Sequence, residues 1–372
     1  MSERRLAVID VKPGASMESQ SGLQALRPRI YGAYEEPTAG SERVAAIVMH
    51  PTSNFMGHYL ISPLAQRGIC CMGLNSRYVG NDSMLIMERV IQDLGAGVRF
   101  LRERGYERVF LLGNSGGGAL VAFYQAQAEN LTVHETPAGD PTGLSPADLP
   151  AADGIVLLAA HAGRASILRE WIDPSVIDES DNLGTDPELD VYNPANGPPF
   201  SDEFLKRFRT AQVRRLTGIE NWVRGRLDML RDDPRGPADQ AFVIYRTHAD
   251  PRFLDLRLDA NDREIGGIWG DPRQVNSGAN AMGRFTSLTA FLSQWSSASN
   301  ADGPRNLART SVPVLFFEHT ADSSTFPSTR AAWLDAAGRR ATAHRLVGGT
   351  HYLTGQPELI EQMADLIAES IA

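Results

Sequence analysis

Residues 113–117 read Gly-Asn-Ser-Gly-Gly and join an apolar run at 109–112 to a small-residue helical pattern at 119–128. A strand that enters a helix through so short a link must bend sharply, and the serine at the apex sits in strained backbone. The residues two before and two after it are pressed together across the bend. Only glycine fits at both places without a Cβ clash, so Gly113 and Gly117 suit the turn. Ser115 Oγ is thereby lifted to a helix N-terminus, where unpaired N–H groups and the dipole favour negative charge. Such a strand, turn and helix present a nucleophile. Two other glycine loops are excluded. A phosphate-cradling loop ends in Gly-Lys-Ser/Thr, whereas Gly118 is followed by Ala119 and Leu120. A dinucleotide fingerprint needs glycine where Ser115 stands.

The chain around this turn alternates strand and helix. Strands are expected at 29–35, 44–49, 70–74, 154–159, 312–317 and 342–347, beside the strand at 109–112. Helices are expected at 56–67, 83–104, 119–128, 329–337 and 357–371. Continuous apolar strands linked by helices call for a mostly parallel sheet covered on both faces. From about 163 to 300 the alternation stops. There Ser201 caps a strong helix with Asp202 and Glu203 in its first turn, and a second helix is expected at 281–295. The expected division is a core at 1–163 and 304–372, with a large, mainly helical insertion at 164–303.

Bulk chemistry narrows the partners. A net charge of −9 gives no footprint for nucleic acid or an anionic membrane surface. No stretch approaches a membrane span, and residues 1–6 lack the apolar segment of a leader, so a cytoplasmic location is expected. Cys70 and Cys71 are adjacent in an apolar run and read as buried thiols. No metal-ligand spacing is present: His-Glu-x-x-His is lacking, and Asp255, Asp259 and Asp262 lack the glycine and glutamate of a calcium loop. No metal and no cofactor are expected. A homo-oligomer is compatible with the chain.

A nucleophilic serine needs a base, and the base needs an orienting acid. His351 lies in Gly-Gly-Thr-His-Tyr after the last strand, and Asp322 lies just past the strand at 312–317. In a parallel sheet the carboxyl ends of all strands open on one edge, so Ser115, Asp322 and His351 are expected to meet there. Glu318 is a rival acid on the same strand, and His319 is expected at the rim. With this turn, acid and histidine in the order Ser, Asp, His, the chain resembles the α/β-hydrolase superfamily over residues 29–165 and 311–372.

The resemblance implies a doubly wound, mostly parallel α/β-hydrolase sheet with the insertion as a cap. It also implies a Ser115–His351–Asp322 triad with Gly116 N–H as one oxyanion donor. A second donor should follow the strand at 44–49. Pro51 has no N–H, so Thr52 is the leading candidate, with Ser53 or Asn54 as alternatives. Asn114, Arg77, His161 and Trp222 are candidate substrate-binding residues. Arg77 would otherwise pair with an acid such as Asp82, and His161 would otherwise be structural. The expected reaction is hydrolysis of a small carboxylic ester or lactone with an apolar or aromatic group. Such a group is suggested by Trp171, Tyr192, Phe200, Phe204, Phe208 and Trp222, unless these pack the cap itself. A thioesterase or C–C bond hydrolase would use the same residues, a ligand-binding receptor could share the fold, and residues 173–199 could dock a partner.

Overall fold

The computed structural model describes residues 3–14, 27–37, 43–279 and 281–371; Met1 and Ser2, read above for a leader, lie outside them. Among the described residues eight strands build the central sheet: β1 (Arg4–Asp10), β2 (Arg29–Glu35), β3 (Val44–His50), β4 (Cys70–Asn75), β5 (Arg108–Asn114), β6 (Gly154–Leu158), β11 (Val314–His319) and β12 (Ala341–Leu346). Their order is β1-β2-β4-β3-β5-β6-β11-β12. The six strands from β4 to β12 run parallel, while β1 and β2 are attached antiparallel at one edge. A central strand such as β3, Val-Ala-Ala-Ile-Val-Met-His, is buried at every position but the last, because helices cover both faces.

On one face α2 (Met87–Glu103), α3 (Gly117–Glu129), α8 (Gly303–Leu307) and α9 (Pro327–Ala337) close over Ile47, Leu111 and Leu157. On the other, α1 (Ile61–Gln66) and α10 (Pro357–Ile371) pack against Val48, Leu112 and Phe317. Both cysteines lie in β4 and are fully buried. Burial drives the Cys70 thiol up to about 12 and Cys71 well above its ordinary value.

Between β6 and β11 the chain forms α4 (Arg164–Trp171), the long α5 (Asp202–Arg231), α6 (Pro272–Ser277) and α7 (Leu288–Gln294). Two small antiparallel pairs accompany them: β7 (Val176–Asp178) with β8 (Asp181–Thr185), and β9 (Ala241–Val243) with β10 (Phe285–Ser287). These elements have their own apolar core, in which Leu216, Ile219 and Val223 of α5 meet Phe291 and Trp295. Ser201 caps α5, its side chain accepting from Phe204 N.

Three local expectations need correction. The strand β1 is an addition to the expected set, and it escapes the alternating pattern because its exposed positions are as apolar as its buried ones: Leu6 is 72% and Val8 53% exposed, while Ala7 and Ile9 are buried. The helix expected at 56–67 shrinks to α1, since Phe55 is drawn against β4, its N–H bonded to Asn75 Oδ1 at 2.8 Å. The helix expected at 281–295 begins only after Ser287, whose hydroxyl caps Ala290 N; residues before it pair as β10. Among the described residues no helix is long and apolar enough to cross a membrane.

Candidate active site

Ser115 follows β5 with φ at +56°, a left-handed conformation that non-glycine residues rarely adopt. Its N–H donates to Leu158 O, and its carbonyl accepts from Gly118 N and His161 N, each at 3.0 Å. The strained residue is thus fixed by β6 and by the first turn of α3. A Cβ at Gly113 would stand 2.7 Å from Gly117 O and Gly118 Cα, so the bend itself demands this glycine. At Gly117 a Cβ would stand 2.2 Å from Met49 O, so there the constraint is the approach of β3.

His351, after β12, brings Nε2 to 3.0 Å from Ser115 Oγ and Nδ1 to 2.7 Å from Asp322 Oδ2. Asp322, after β11, is fully buried and also accepts from Ser324 N (2.7 Å), Ser324 Oγ (3.0 Å) and Thr325 Oγ1 (2.5 Å). Burial alone would push its carboxyl up. The charge and hydrogen bond of His351 and the Thr325 hydroxyl outweigh that and hold it well below the usual carboxylate range. A charged carboxylate at Nδ1 keeps the proton of a neutral imidazole there, which leaves the Nε2 lone pair facing the Ser115 hydroxyl.

The rival acid Glu318 is instead held by Arg330 at 3.1 Å and Arg345 at 2.9 Å. His319 is not at the rim: it is buried, and its Nδ1 meets Thr350 O at 2.9 Å, bracing the loop that carries His351.

A cavity of about 440 Å³ opens over Ser115, with Ile167, Trp171, Trp269, Met282 and Tyr352 among its walls. It shares Ile268 and Tyr352 with a neighbouring cavity of about 890 Å³. Asn114 and His161 line the smaller one. The Asn114 amide donates to Leu158 O at 3.0 Å. The ring of His161 lies 5.3 Å from that of His351, and its Nε2 is 3.3 Å from Ser324 Oγ. Burial and the nearby His351 charge push the His161 imidazole down to about 3, so it stays neutral. The Gly116 N–H donates to nothing among the described residues.

Other expected site residues are placed differently. The Thr52 N–H is occupied, donating to His50 Nδ1 at 3.1 Å, and so is that of Ser53 at 2.9 Å. Arg77 turns away from the cavity into a buried pair with Asp93, Nη2 to Oδ1 at 2.6 Å. Its suggested partner Asp82 is taken by Arg164 at 2.8 Å. Trp222 is 48% exposed on α5, packs on Phe242 at 5.3 Å and lines a separate cleft. Phe200, Phe204 and Phe208 are buried in the insertion's own packing, and of the six aromatics expected to select an apolar group only Trp171 reaches the cavity.

Sequence reasoning overlooked Arg164. Its guanidinium bonds Asp82 Oδ2, Gln294 Oε1 and Thr52 Oγ1 at 2.8, 2.5 and 2.8 Å, which ties the turns after β3 and β4 to α7. The strand-end logic that found Asp322 applies equally to the residues after β6. Ser324 was overlooked too, although Asp-Ser-Ser is a run that folds back on its own carboxylate.

No family model matches the chain, and no curated protein matches it in sequence. Solved structures do. Est1E from Butyrivibrio proteoclasticus is 10% identical, with 98% of each chain covered and a TM-score of 0.50. A hypothetical protein from Pseudomonas aeruginosa is 13% identical, covering 100% of this chain and 94% of that one, with a TM-score of 0.51. Together with the sheet order and the tight turn at Ser115, this likeness gives the chain the α/β-hydrolase fold.

Proposed function

We propose that the chain is a serine hydrolase of small carboxylic esters or lactones, with Ser115 as nucleophile, His351 as base and Asp322 as orienting acid. The observation that carries this reading is the hydrogen-bonded series Ser115 Oγ, His351 Nε2, His351 Nδ1, Asp322 Oδ2, at 3.0 and 2.7 Å. Ser115 Oγ attacks the carbonyl carbon while its proton passes to His351 Nε2, and the charged Asp322 stabilises the imidazolium. The tetrahedral species collapses, the leaving alcohol takes the proton from His351, and an acyl-Ser115 remains. Water, deprotonated by His351, then releases the acid and restores the serine. Gly116 N–H, at the start of α3, stabilises the negative oxygen.

The walls formed by Ile167, Trp171, Trp269 and Met282 favour an apolar or aromatic acyl or alcohol group. In this reading residues 164–303 are the cap that supplies those walls. Labelling with a fluorophosphonate probe and mapping the modified peptide tests the assignment. Modification of Ser115 is expected, with loss of labelling and of p-nitrophenyl ester turnover in Ser115→Ala. Labelling elsewhere, or a Ser115→Ala protein that keeps its turnover, overturns it.

A further inference from the structure

The turn after β3 is where a second oxyanion donor is needed, yet its first three residues offer no free backbone N–H. Of the earlier candidates only Asn54 N–H donates to nothing among the described residues, and Asn54 lines the cavity too. Pro51 has no N–H, and the N–H groups of Thr52 and Ser53 both point at His50 Nδ1, at 3.1 and 2.9 Å. Two donors aimed at one ring nitrogen require that nitrogen to be the acceptor, so the proton of the neutral ring is on Nε2. The ring stays neutral because burial, and beside it the Arg164 guanidinium, disfavour the imidazolium.

The hydrogen bonds of the His50 ring among the described residues are both at Nδ1, and the protonated Nε2 meets no acceptor there. It lies at the nucleophile turn: a Cβ built on Gly116 would stand 2.8 Å from it, so the glycine there leaves room for the ring. His50, Ser115 and Gly116 line the same cavity.

We propose that His50 is a catalytic residue, its Nε2–H donating a hydrogen bond to the oxyanion beside Gly116 N–H. This rests on the serine-hydrolase reading above. When Ser115 Oγ bonds to the carbonyl carbon, the C=O π pair moves onto oxygen, and that oxygen accepts from the two N–H groups. His50 keeps its proton throughout. The ring therefore has two jobs on opposite edges: Nδ1 orders the 51–53 turn and Nε2 meets the substrate.

Two substitutions separate those jobs. In His50→Asn the Oδ1 stands in for Nδ1 and preserves the acceptor for Thr52 and Ser53, but the Nε2 donor is gone. In His50→Gln an amide N–H is returned near the Nε2 position while the turn loses its acceptor. On p-nitrophenyl butyrate, His50→Asn is expected to lose kcat by about 10²- to 10³-fold, with KM and Tm close to those of the unsubstituted protein. His50→Gln is expected to retain more kcat than His50→Asn despite a lower Tm. The preference for the ester over its thionoester, whose sulfur is a poorer acceptor, should shrink in His50→Asn. A His50→Asn protein that keeps its kcat while Ser115→Ala is inactive overturns the donor role and leaves the serine reading standing. Equal losses in both His50 variants, with the thionoester preference unmoved, overturn it as well. Turnover by Ser115→Ala removes both.

Discussion

His248 offers a quantitative test of how this fold handles a buried base. It is fully buried, stacked on Phe253 at 4.4 Å and 23°, with Trp171 edge-on at 5.0 Å and Trp269 tilted at 5.4 Å. Neither ring nitrogen meets a hydrogen-bond partner among the described residues. Burial, aided by Arg284 and opposed by Asp250, drives its pKa from 6.5 down to about 4. Below 6.5 the unfolded chain takes up a proton that the folded protein refuses until about 4. Stability is therefore lost as pH falls through that window, by about 3 kcal/mol in all at about 1.4 kcal/mol per unit. The substitution His248→Phe keeps a flat ring on Phe253 and removes the proton uptake. It also removes two unpartnered nitrogens, each costing about 1–3 kcal/mol, offset by crowding of the larger ring at Gly267. The assay is urea unfolding of both proteins at pH 7, 6 and 5. His58 and His161 are pushed down to about 4 and about 3, but they titrate in both proteins and cancel in the difference. The stability of His248→Phe relative to the parent should rise by about 2 kcal/mol between pH 7 and pH 5. A difference that stays constant across those pH values refutes the reasoning, whatever its size at pH 7.

Further substitutions probe the turn, the relay and the cavity wall. Gly117→Ala places a Cβ 2.2 Å from Met49 O, backbone that cannot move without disturbing β3. It should cost about 1–3 kcal/mol or more in urea unfolding, and an unchanged midpoint would show that the approach is not tight. Asp322→Asn lets an amide face His351 Nδ1 and reverses the imidazole tautomer, so kcat should fall on the order of 10⁴-fold with KM little changed. Steady-state kinetics on a p-nitrophenyl ester would expose the error if kcat fell less than about tenfold. Trp222→Ala should leave kcat and KM as they are, because the indole lies in a separate cleft; a tenfold drop in kcat/KM would place that cleft in the substrate path.

The sheet was legible because its central strands are short apolar runs bounded by turn residues, and burial on both faces produces that pattern. The positions of Ser115, Asp322 and His351 at strand ends were legible for the same reason: once the strands are known, a parallel sheet dictates which turns share an edge. The contacts made by the turns themselves were not. Whether Thr52 N–H is free depends on the His50 ring folding back over its own turn, a contact with no sequence period. Arg77 and Arg164 both come after central strands, yet one meets Asp93 on α2 and the other reaches Asp82, Thr52 and Gln294. Their fates are decided by partners far away in the chain. Trp222 was misplaced because an amphipathic helix announces an apolar face without saying what lies opposite it.

Cys70 and Cys71 sit at the start of β4, shielded from water and with their thiols kept protonated. Thiolate is the form that reacts with disulfide and alkylating reagents, so the native protein is inert to them and every modification event reports an opening of the sheet's middle. The chain thus carries its own unlabelled reporter: the rate of thiol capture measures how often the central sheet comes apart, at any temperature and without denaturant.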